Sequence, residues 1–382
     1  MTVAAPDAVD SPNEARIDLR ALAHNVRTLQ DRVGGAAVMA VVKADAYGHG
    51  MVPCAVAARA AGAQWLGAAL PTEALELRAA GVPGRILTWL WTVNADLTPV
   101  VAADIDISVS ARWALDVVVA AVRRAGRPAR IHLKADTGLS RNGASSAEWG
   151  PLVDAALAAQ AAGAVDVVGV WSHLACADEP RHPSVAAQLT AFRQAVSVAE
   201  RAGARLEVRH LANSPATLLL PQSHFDLVRV GVALYGLSPA TAHGSSADFD
   251  LRPVMSLAAR LAAVRQVPAG TGVSYGHRHR TSTPTTLGLV PLGYADGIPR
   301  HASGRGQVLV GAHRRPVCGV VAMDQFVVDL GGSAAAPGDE VLVFGPGDRG
   351  EPTAQDWAEA AGTISYEIVT RIGARVPRTY AR

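Results

Sequence analysis

The stretch Val38-Met-Ala-Val-Val-Lys-Ala-Asp-Ala-Tyr-Gly-His-Gly50 ends an apolar run on a single lysine, Lys43, and follows it with a tyrosine and a Gly-His-Gly turn. A strand buried on both faces, as in a parallel sheet covered by helices, reads as a continuous apolar run of this kind. A lysine inside such a run is costly unless it has a partner or chemistry to perform. Desolvation lowers its pKa, and the neutral amine becomes a usable nucleophile or Schiff-base former. A solvated surface lysine, the commoner case, would leave the apolar approach to Lys43 unexplained.

Working outward, short β-rich runs recur at 38–44, 65–69, 85–91, 106–110, 129–135, 166–173, 207–213 and 227–236. Helical segments at 51–61, 72–80, 111–125, 148–162 and 184–202 separate most of them, and Gly62, Gly81, Gly126, Gly163 and Gly203 fall near their ends, where a glycine is favoured. Alternation of this kind predicts βαβ units and a parallel sheet, and eight units predict a (β/α)8 TIM barrel. A barrel of this class carries its active site at the C-terminal ends of its strands. The runs end in Lys43 with Tyr47, Lys134 with Arg141, His173, Asn213 with Ser214, and Arg229. Polar loop residues at strand ends account for one or two of these groups, not for all five.

Beyond a small, polar segment at 241–250, expected to be a linker, the pattern changes. Strand-like runs at 254–267, 286–292, 307–311, 315–321, 325–330 and 340–344, with one helix near 353–361, predict a mostly β C-terminal domain. The expected organisation is α/β: a barrel over 14–240, then a β-rich domain over 250–382. Residues 1–13 are expected to fray or to pack on the second domain.

Composition narrows the function classes. A net charge of +2 with no basic block argues against nucleic acid or an acidic membrane surface as partner. Three cysteines, far apart in sequence, argue against a disulfide framework or zinc knuckle and fit a reducing compartment. No window holds 18 uninterrupted apolar residues, and no secretory signal is read at the N-terminus, so a cytoplasmic protein is expected.

The motif Ala40-Val-Val-Lys-Ala-Asp-Ala-Tyr-Gly-His-Gly50 closely resembles the pyridoxal-phosphate attachment motif of alanine racemases. Further likenesses follow in family order over roughly residues 14 to 375. They are Ile17-Asp-Leu-Arg-Ala-Leu-Ala-His-Asn25, His132-Leu-Lys-Ala-Asp-Thr-Gly-Leu-Ser-Arg-Asn-Gly143, Ser172-His-Leu-Ala-Cys-Ala-Asp178, Ala212-Asn-Ser214 and Arg229-Val-Gly-Val-Ala-Leu-Tyr-Gly236. Val273-Ser-Tyr-Gly276, Gly293-Tyr-Ala-Asp-Gly-Ile-Pro-Arg300, Met323-Asp-Gln325 and Ile364-Ser-Tyr-Glu367 continue the series. Jointly and in order they are far more specific than any one of them.

The resemblance implies a barrel plus a β domain, a homodimer with shared active sites, pyridoxal 5'-phosphate as cofactor, and L-alanine and D-alanine as substrates in D-alanine supply for the cell wall. It assigns Lys43 as the lysine that attaches the cofactor and then acts as a base, and Tyr275 of the partner subunit as the base on the opposite face. Arg229 would meet the cofactor's pyridine nitrogen. Because arginine only donates, that nitrogen stays unprotonated, which weakens the electron sink and limits transamination. His173 would hold the Arg229 guanidinium, and Asn213 belongs to the same cofactor set. The phosphate would be held by Ser214, the amides of Gly231 and Val232, and the hydroxyls of Tyr47 and Tyr366. Arg141 and the amide of Met323 would bind the substrate carboxylate, Arg141 also facing the cofactor. Tyr294, Asp296, Arg300 and Asp324 resemble the channel and its entrance. Lys134 matches a position carbamylated to N6-carboxylysine in many relatives, an anion able to hold Arg141. No metal site is expected, because His173 with Asp178 lacks a third clustered ligand.

Two positions depart from the family pattern: Ala322 stands where cysteine is frequent, and Ser140 where glycine is common. The segment Trp89-Leu-Trp91 is bulkier than usual. Competing readings are a related racemase of other small amino acids such as serine, a fold-related decarboxylase, a metal-assisted D-amino-acid aldolase, and a non-catalytic PLP-binding protein. Arg229 disfavours the decarboxylase, which needs an acidic nitrogen partner, and the second domain with Tyr275 disfavours the single-barrel binding protein.

Overall fold

Eight short strands in the computed structural model, which describes residues 11–381, run parallel in one sheet. They are Ala37–Val41, Trp65–Ala68, Arg85–Thr88, Asp106–Val109, Ala129–Lys134, Val165–Trp171, Val208–His210 and Leu227–Val230. Each of the first six pairs with the next in sequence, and the last pairs with the first. The two edge strands also meet, Asp226 N–H donating to Arg209 O at 3.1 Å and Arg229 N–H to Ala212 O at 2.9 Å. The sheet thus curls into a parallel barrel with helices between its strands. All eight expected runs lie on these strands. Because barrel strands are covered by helices outside and filled by side chains inside, their apolar runs are nearly unbroken and easily read.

The intervening helices Met51–Ala60, Pro71–Ala79, Arg112–Ala125, Ser146–Ala161 and Pro183–Arg201 coincide with the expected helical segments to within two residues at either end. Gly126 shows why a glycine ends one of them: it sits at φ 70° and donates to Val122 O, a left-handed cap that a Cβ would strain.

The chain divides into two compact units. One comprises 22–46 and 51–252, the barrel; the other comprises the described residues up to Ala21, 47–50 and those from Pro253 onward. The second unit carries a nine-stranded sheet in the order Ala263–Val267, Thr285–Val290, Phe326–Gly331, His313–Cys318, Gln307–Val310, Glu340–Phe344, Met255–Arg260, Asn13–Asp18 and Arg378–Ala381. Helices Ala354–Ala361 and Ser365–Thr370 join it.

Three expectations divide the chain differently. Residues 14–18 were expected to open the barrel domain, but they lie on the strand Asn13–Asp18, which pairs antiparallel with Met255–Arg260 and parallel with Arg378–Ala381. The segment 241–250 was expected to be a linker, yet it belongs to the barrel unit, where Asp250 accepts from Thr28 Oγ1 at 3.1 Å and Phe249 O from Arg32 at 2.9 Å. The run 254–267 is two strands, because at Leu261-Ala262 the chain leaves the strand Glu340–Phe344 and pairs with Thr285–Val290 instead. Residues 1–10 lie outside the described residues. No described helix is long and apolar enough to cross a membrane.

Candidate active site

Lys43 follows the first barrel strand, Val42 N–H still donating to Gly67 O of the neighbouring strand at 2.8 Å. The chain then makes a left-handed helical turn: Ala44, Asp45, Ala46 and Tyr47 have φ of 52°, 52°, 55° and 55°. Left-handed residues with a Cβ cost roughly 1–2 kcal/mol each, so four in a row persist only where the surroundings over-determine them. Ala46 N–H donates to Val42 O at 2.8 Å. Glu73 accepts from Ala44 N–H at 2.7 Å with one oxygen and from Ala69 and Leu70 N–H at 2.8 and 2.9 Å with the other. Asp45 in turn accepts from Met51 N–H at 2.7 Å. The strained turn fixes the direction in which Lys43 leaves the barrel.

Four cations of the barrel unit act on one another: Lys43, Lys134, Arg141 and Arg229. Burial, then Arg141, pulls Lys43 below the ordinary lysine value, with Glu73 opposing. Burial, Arg229 and Arg141 bring Lys134 down to about 8 against a smaller contribution from Asp136. Burial and Arg141 bring the Arg229 guanidinium down to about 9, still protonated at neutral pH. His173 feels burial and then all four cations and is held well below the usual histidine range, so it is neutral. Mutual repulsion of this kind marks a region of positive potential suited to anions.

Arg229 is buried, and both terminal nitrogens are engaged by neutral acceptors. Nη1 meets His210 O at 2.9 Å and His210 Nδ1 at 3.2 Å. Nη2 meets Ser172 O at 2.7 Å, Leu211 O at 3.0 Å and His173 Nδ1 at 3.2 Å. The Trp171 ring lies beneath this cluster: it stacks on His210 with planes 5° apart, and the charged ends of Lys134 and Arg229 stand 4.5 and 4.8 Å from its centroid. Trp89, from the segment noted for its bulk, packs edge-on against Trp171 at 6.1 Å.

A cradle stands beside Arg229. Asn213 caps the helix Ser214–Leu219, its side chain accepting from Ala216 N–H, and its amide lies 3.5 Å from His173 Nε2. Ser214 Oγ is approached by Gly231 N–H at 2.9 Å and Ala233 N–H at 3.4 Å, with Val232 between them. Backbone amides, a hydroxyl and surrounding cations form a donor set that fits a phosphate, and a weakened lysine base fits a carbonyl cofactor.

The other unit holds the remaining candidates. Tyr47 and Tyr366 neighbour each other there, burial and then Tyr366 raising the Tyr47 hydroxyl above the usual value. Tyr275 is 71% exposed. It follows Ser274, whose φ of 58° and ψ of −169° are strained for a residue with a Cβ, and whose hydroxyl donates to Val320 O at 2.7 Å. Met323 and Tyr294 are likewise exposed and joined through the backbone, Tyr294 N–H donating to Ala322 O and Ala295 N–H to Met323 O. Asp296 is buried, accepts from Gly293 N–H at 2.8 Å and pairs with Arg375 at 3.2 Å; Arg375 also holds Asp324 at 2.7 Å. Asp296 therefore holds its turn together. Arg300 is exposed at the start of the turn Arg300–Ala302.

Ser140 has φ 56°, which accounts for glycine being common there, and Asp136 steadies the loop by accepting from Gly138 and Ser140 N–H. Among residues not singled out from sequence are Glu73, Trp171, His210, His132 and Asp106. One signal existed: His132 and Lys134 are two apart on the strand Ala129–Lys134 and so share a strand face. Burial also depresses His210, with Arg229 and His132 adding to it. A histidine neutral when folded takes up protons sooner when unfolded, so the unfolded chain binds more protons below about pH 6.5. His173 and His210 should each cost on the order of 1.4 kcal/mol per pH unit below that point, a loss that urea melts between pH 7 and pH 5 would reveal.

The chain is similar to known proteins over nearly its whole length. The family model described as alanine racemase, N-terminal domain, matches residues 17–239, and that of the C-terminal domain matches residues 254–380. The alanine racemase of Streptomyces coelicolor is 64% identical over 371 residues, covering 96% of this chain and 95% of its own. That of Frankia casuarinae is 57% identical, covering 98% of both. The crystal structure of alanine racemase from D-cycloserine-producing Streptomyces lavendulae superposes with a TM-score of 0.97 at 60% identity, covering 98% of each chain.

Proposed function

The chain belongs to the alanine racemase family and has the activity of an alanine racemase, and from that premise we propose that it interconverts L-alanine and D-alanine by a two-base proton transfer. The observation that carries the reading is the cluster of Lys43, Lys134, Arg141 and Arg229, in which both lysines have a lowered pKa, with a cradle of amides and a hydroxyl beside Arg229. Lys43, Tyr47, Asn213, Ser214, Arg229, Gly231, Val232 and Tyr366 are the groups that would hold pyridoxal 5'-phosphate, with His173 steadying Arg229. When bound, the cofactor supplies the electron sink that acidifies the α-proton.

Lys43 Nζ, its pKa lowered by burial and then by Arg141, takes or returns the α-proton on one face. The hydroxyl of Tyr275 of the partner subunit does so on the other. Arg141 and the Met323 amide bind the substrate carboxylate. Tyr294, Asp296, Arg300 and Asp324 shape the approach, Asp296 by holding its turn. The active species is a homodimer; the exposure of Tyr275, Tyr294 and Met323 leaves each free to enter a partner's site. A cytoplasmic enzyme supplying D-alanine for peptidoglycan is the physiological role.

A circular-dichroism assay on L-alanine, L-serine and a bulkier amino acid tests the reading. Racemisation of alanine well ahead of the others is the expected result; serine turning over faster would replace alanine as substrate.

Lys134 is expected to be carbamylated. Its neutral amine, available because the pKa falls to about 8, attacks CO2, loses a proton and becomes an anion between Arg141 and Arg229. Intact mass at pH 8 should show one CO2 added per chain, absent in Lys134→Arg and lost on acidification, which protonates the amine. An unmodified wild-type mass at pH 8 would refute this.

A further inference from the structure

Inside the barrel a hydrogen-bonded chain runs away from Arg229. His210 Nδ1 lies 3.2 Å from Arg229 Nη1, His210 Nε2 lies 2.9 Å from His132 Nδ1, and His132 Nε2 lies 3.1 Å from Asp106 Oδ2. Every member is buried. We propose that Asp106 is a positioning residue for Arg229, acting through His132 and His210 to fix both histidines as Nε2–H tautomers so that Arg229 always meets an acceptor.

The hydrogen-bond inventory admits one arrangement. Arginine only donates, so His210 must accept at Nδ1 and carry its proton on Nε2. His132 must then accept at Nδ1, carry its own proton on Nε2 and donate it to Asp106. Read from the other end, an ionised carboxylate only accepts and imposes the same order. The reverse order would set N–H against N–H at Arg229. Asp106 stays ionised although buried because Arg85 donates to Oδ2 at 2.6 and 3.0 Å and Arg130 to Oδ1 at 2.8 Å.

The backbone makes room for this chain. The pairing of Ala129–Lys134 with Val165–Trp171 shifts register between Ile131 and His132, a bulge of the kind that re-aims a side chain. Opposite it stands Gly169, where a Cβ would lie 2.4 Å from His132 Nδ1. The edge of the Trp65 ring closes off His132 at 5.5 Å, and Trp171 covers His210. No catalytic contact is assigned to His132 or Asp106, so their burial in an exact donor–acceptor order points to control of Arg229.

The inference rests on the proposed role of Arg229, and the test separates the two. In selectively 15N-histidine-labelled protein without cofactor, side-chain NMR at pH 8 should show His132 and His210 as Nε2–H tautomers; an Nδ1–H form at either would overturn the chain. Among variants, His132→Gln keeps a donor toward Asp106 and an acceptor toward His210 and should hold kcat close to wild type. His132→Leu should lose on the order of tenfold to hundredfold in kcat through misplacement of Arg229, with little change in KM. If His132→Leu keeps wild-type kcat while Arg229→Ala loses activity, the relay is wrong and the role of Arg229 stands. If Arg229→Ala itself keeps full activity, the role of Arg229 falls, and the tautomer result still decides the relay.

Discussion

Lys43→Ala is expected to lower kcat/KM for alanine in both directions by roughly ten-thousandfold or more, since it removes a positioned base worth about a hundredfold to ten-thousandfold and the cofactor's attachment with it. The variant should also lose the visible absorbance of lysine-bound cofactor. Its fold should not suffer. Lys43 is depressed by burial and by Arg141, so its charged form is a cost within a cluster of cations, and deleting it relieves repulsion. The thermal midpoint should therefore hold or rise, the trade of stability against activity common at functional sites. The left-handed turn after Lys43 is held at its backbone N–H groups by Glu73 and Asp45 and should survive. Activity within tenfold of wild type would remove Lys43 from the mechanism. A collapse of the melting temperature would assign it a structural role instead.

The contrast between Lys43 and its surroundings marks what the sequence carries. The eight barrel strands were legible because a strand covered on both faces is apolar throughout, and the helices because their spacing and terminal glycines are local signals. Lys43, Lys134 with Arg141, His173, Asn213 with Ser214, and Arg229 were legible because a barrel brings its strand ends to one rim. The strand Asn13–Asp18 was not, since its partners are Met255–Arg260 and Arg378–Ala381, and pairing over such separations leaves no local mark. Nor was the turn from Ala44 to Tyr47, where no glycine announces the left-handed backbone before Gly48. The order Arg229, His210, His132, Asp106 depends on which strands are neighbours and on a bulge at His132. Glu73 is an ordinary helix-start glutamate in sequence, and only the fold shows it tying two strand ends together.

Tyr275 was legible only through resemblance, and its role makes the second large prediction. Tyr275→Phe should reduce alanine racemisation by about a hundredfold to ten-thousandfold, because a positioned proton donor and acceptor is lost while the ring remains. Stability should scarcely change, since the side chain is 71% exposed and the strained backbone around it is held by Ser274 and Val320. The decisive experiment mixes two inactive proteins. In a symmetric dimer with sites shared across the interface, pairing a Lys43→Ala chain with a Tyr275→Phe chain puts both lesions in one site and leaves the other intact. Unfolding and refolding an equal mixture should therefore restore about a quarter of wild-type activity, half of the dimers being hybrids with one sound site of two. If each chain used its own tyrosine, every site in every hybrid would carry one lesion and no activity would return. The same mixture separates two accounts of the exposed Tyr275, Tyr294 and Met323: as parts of a partner's site, they must be intact on the chain opposite the working lysine; as a mere contact surface, they need only allow the dimer to form.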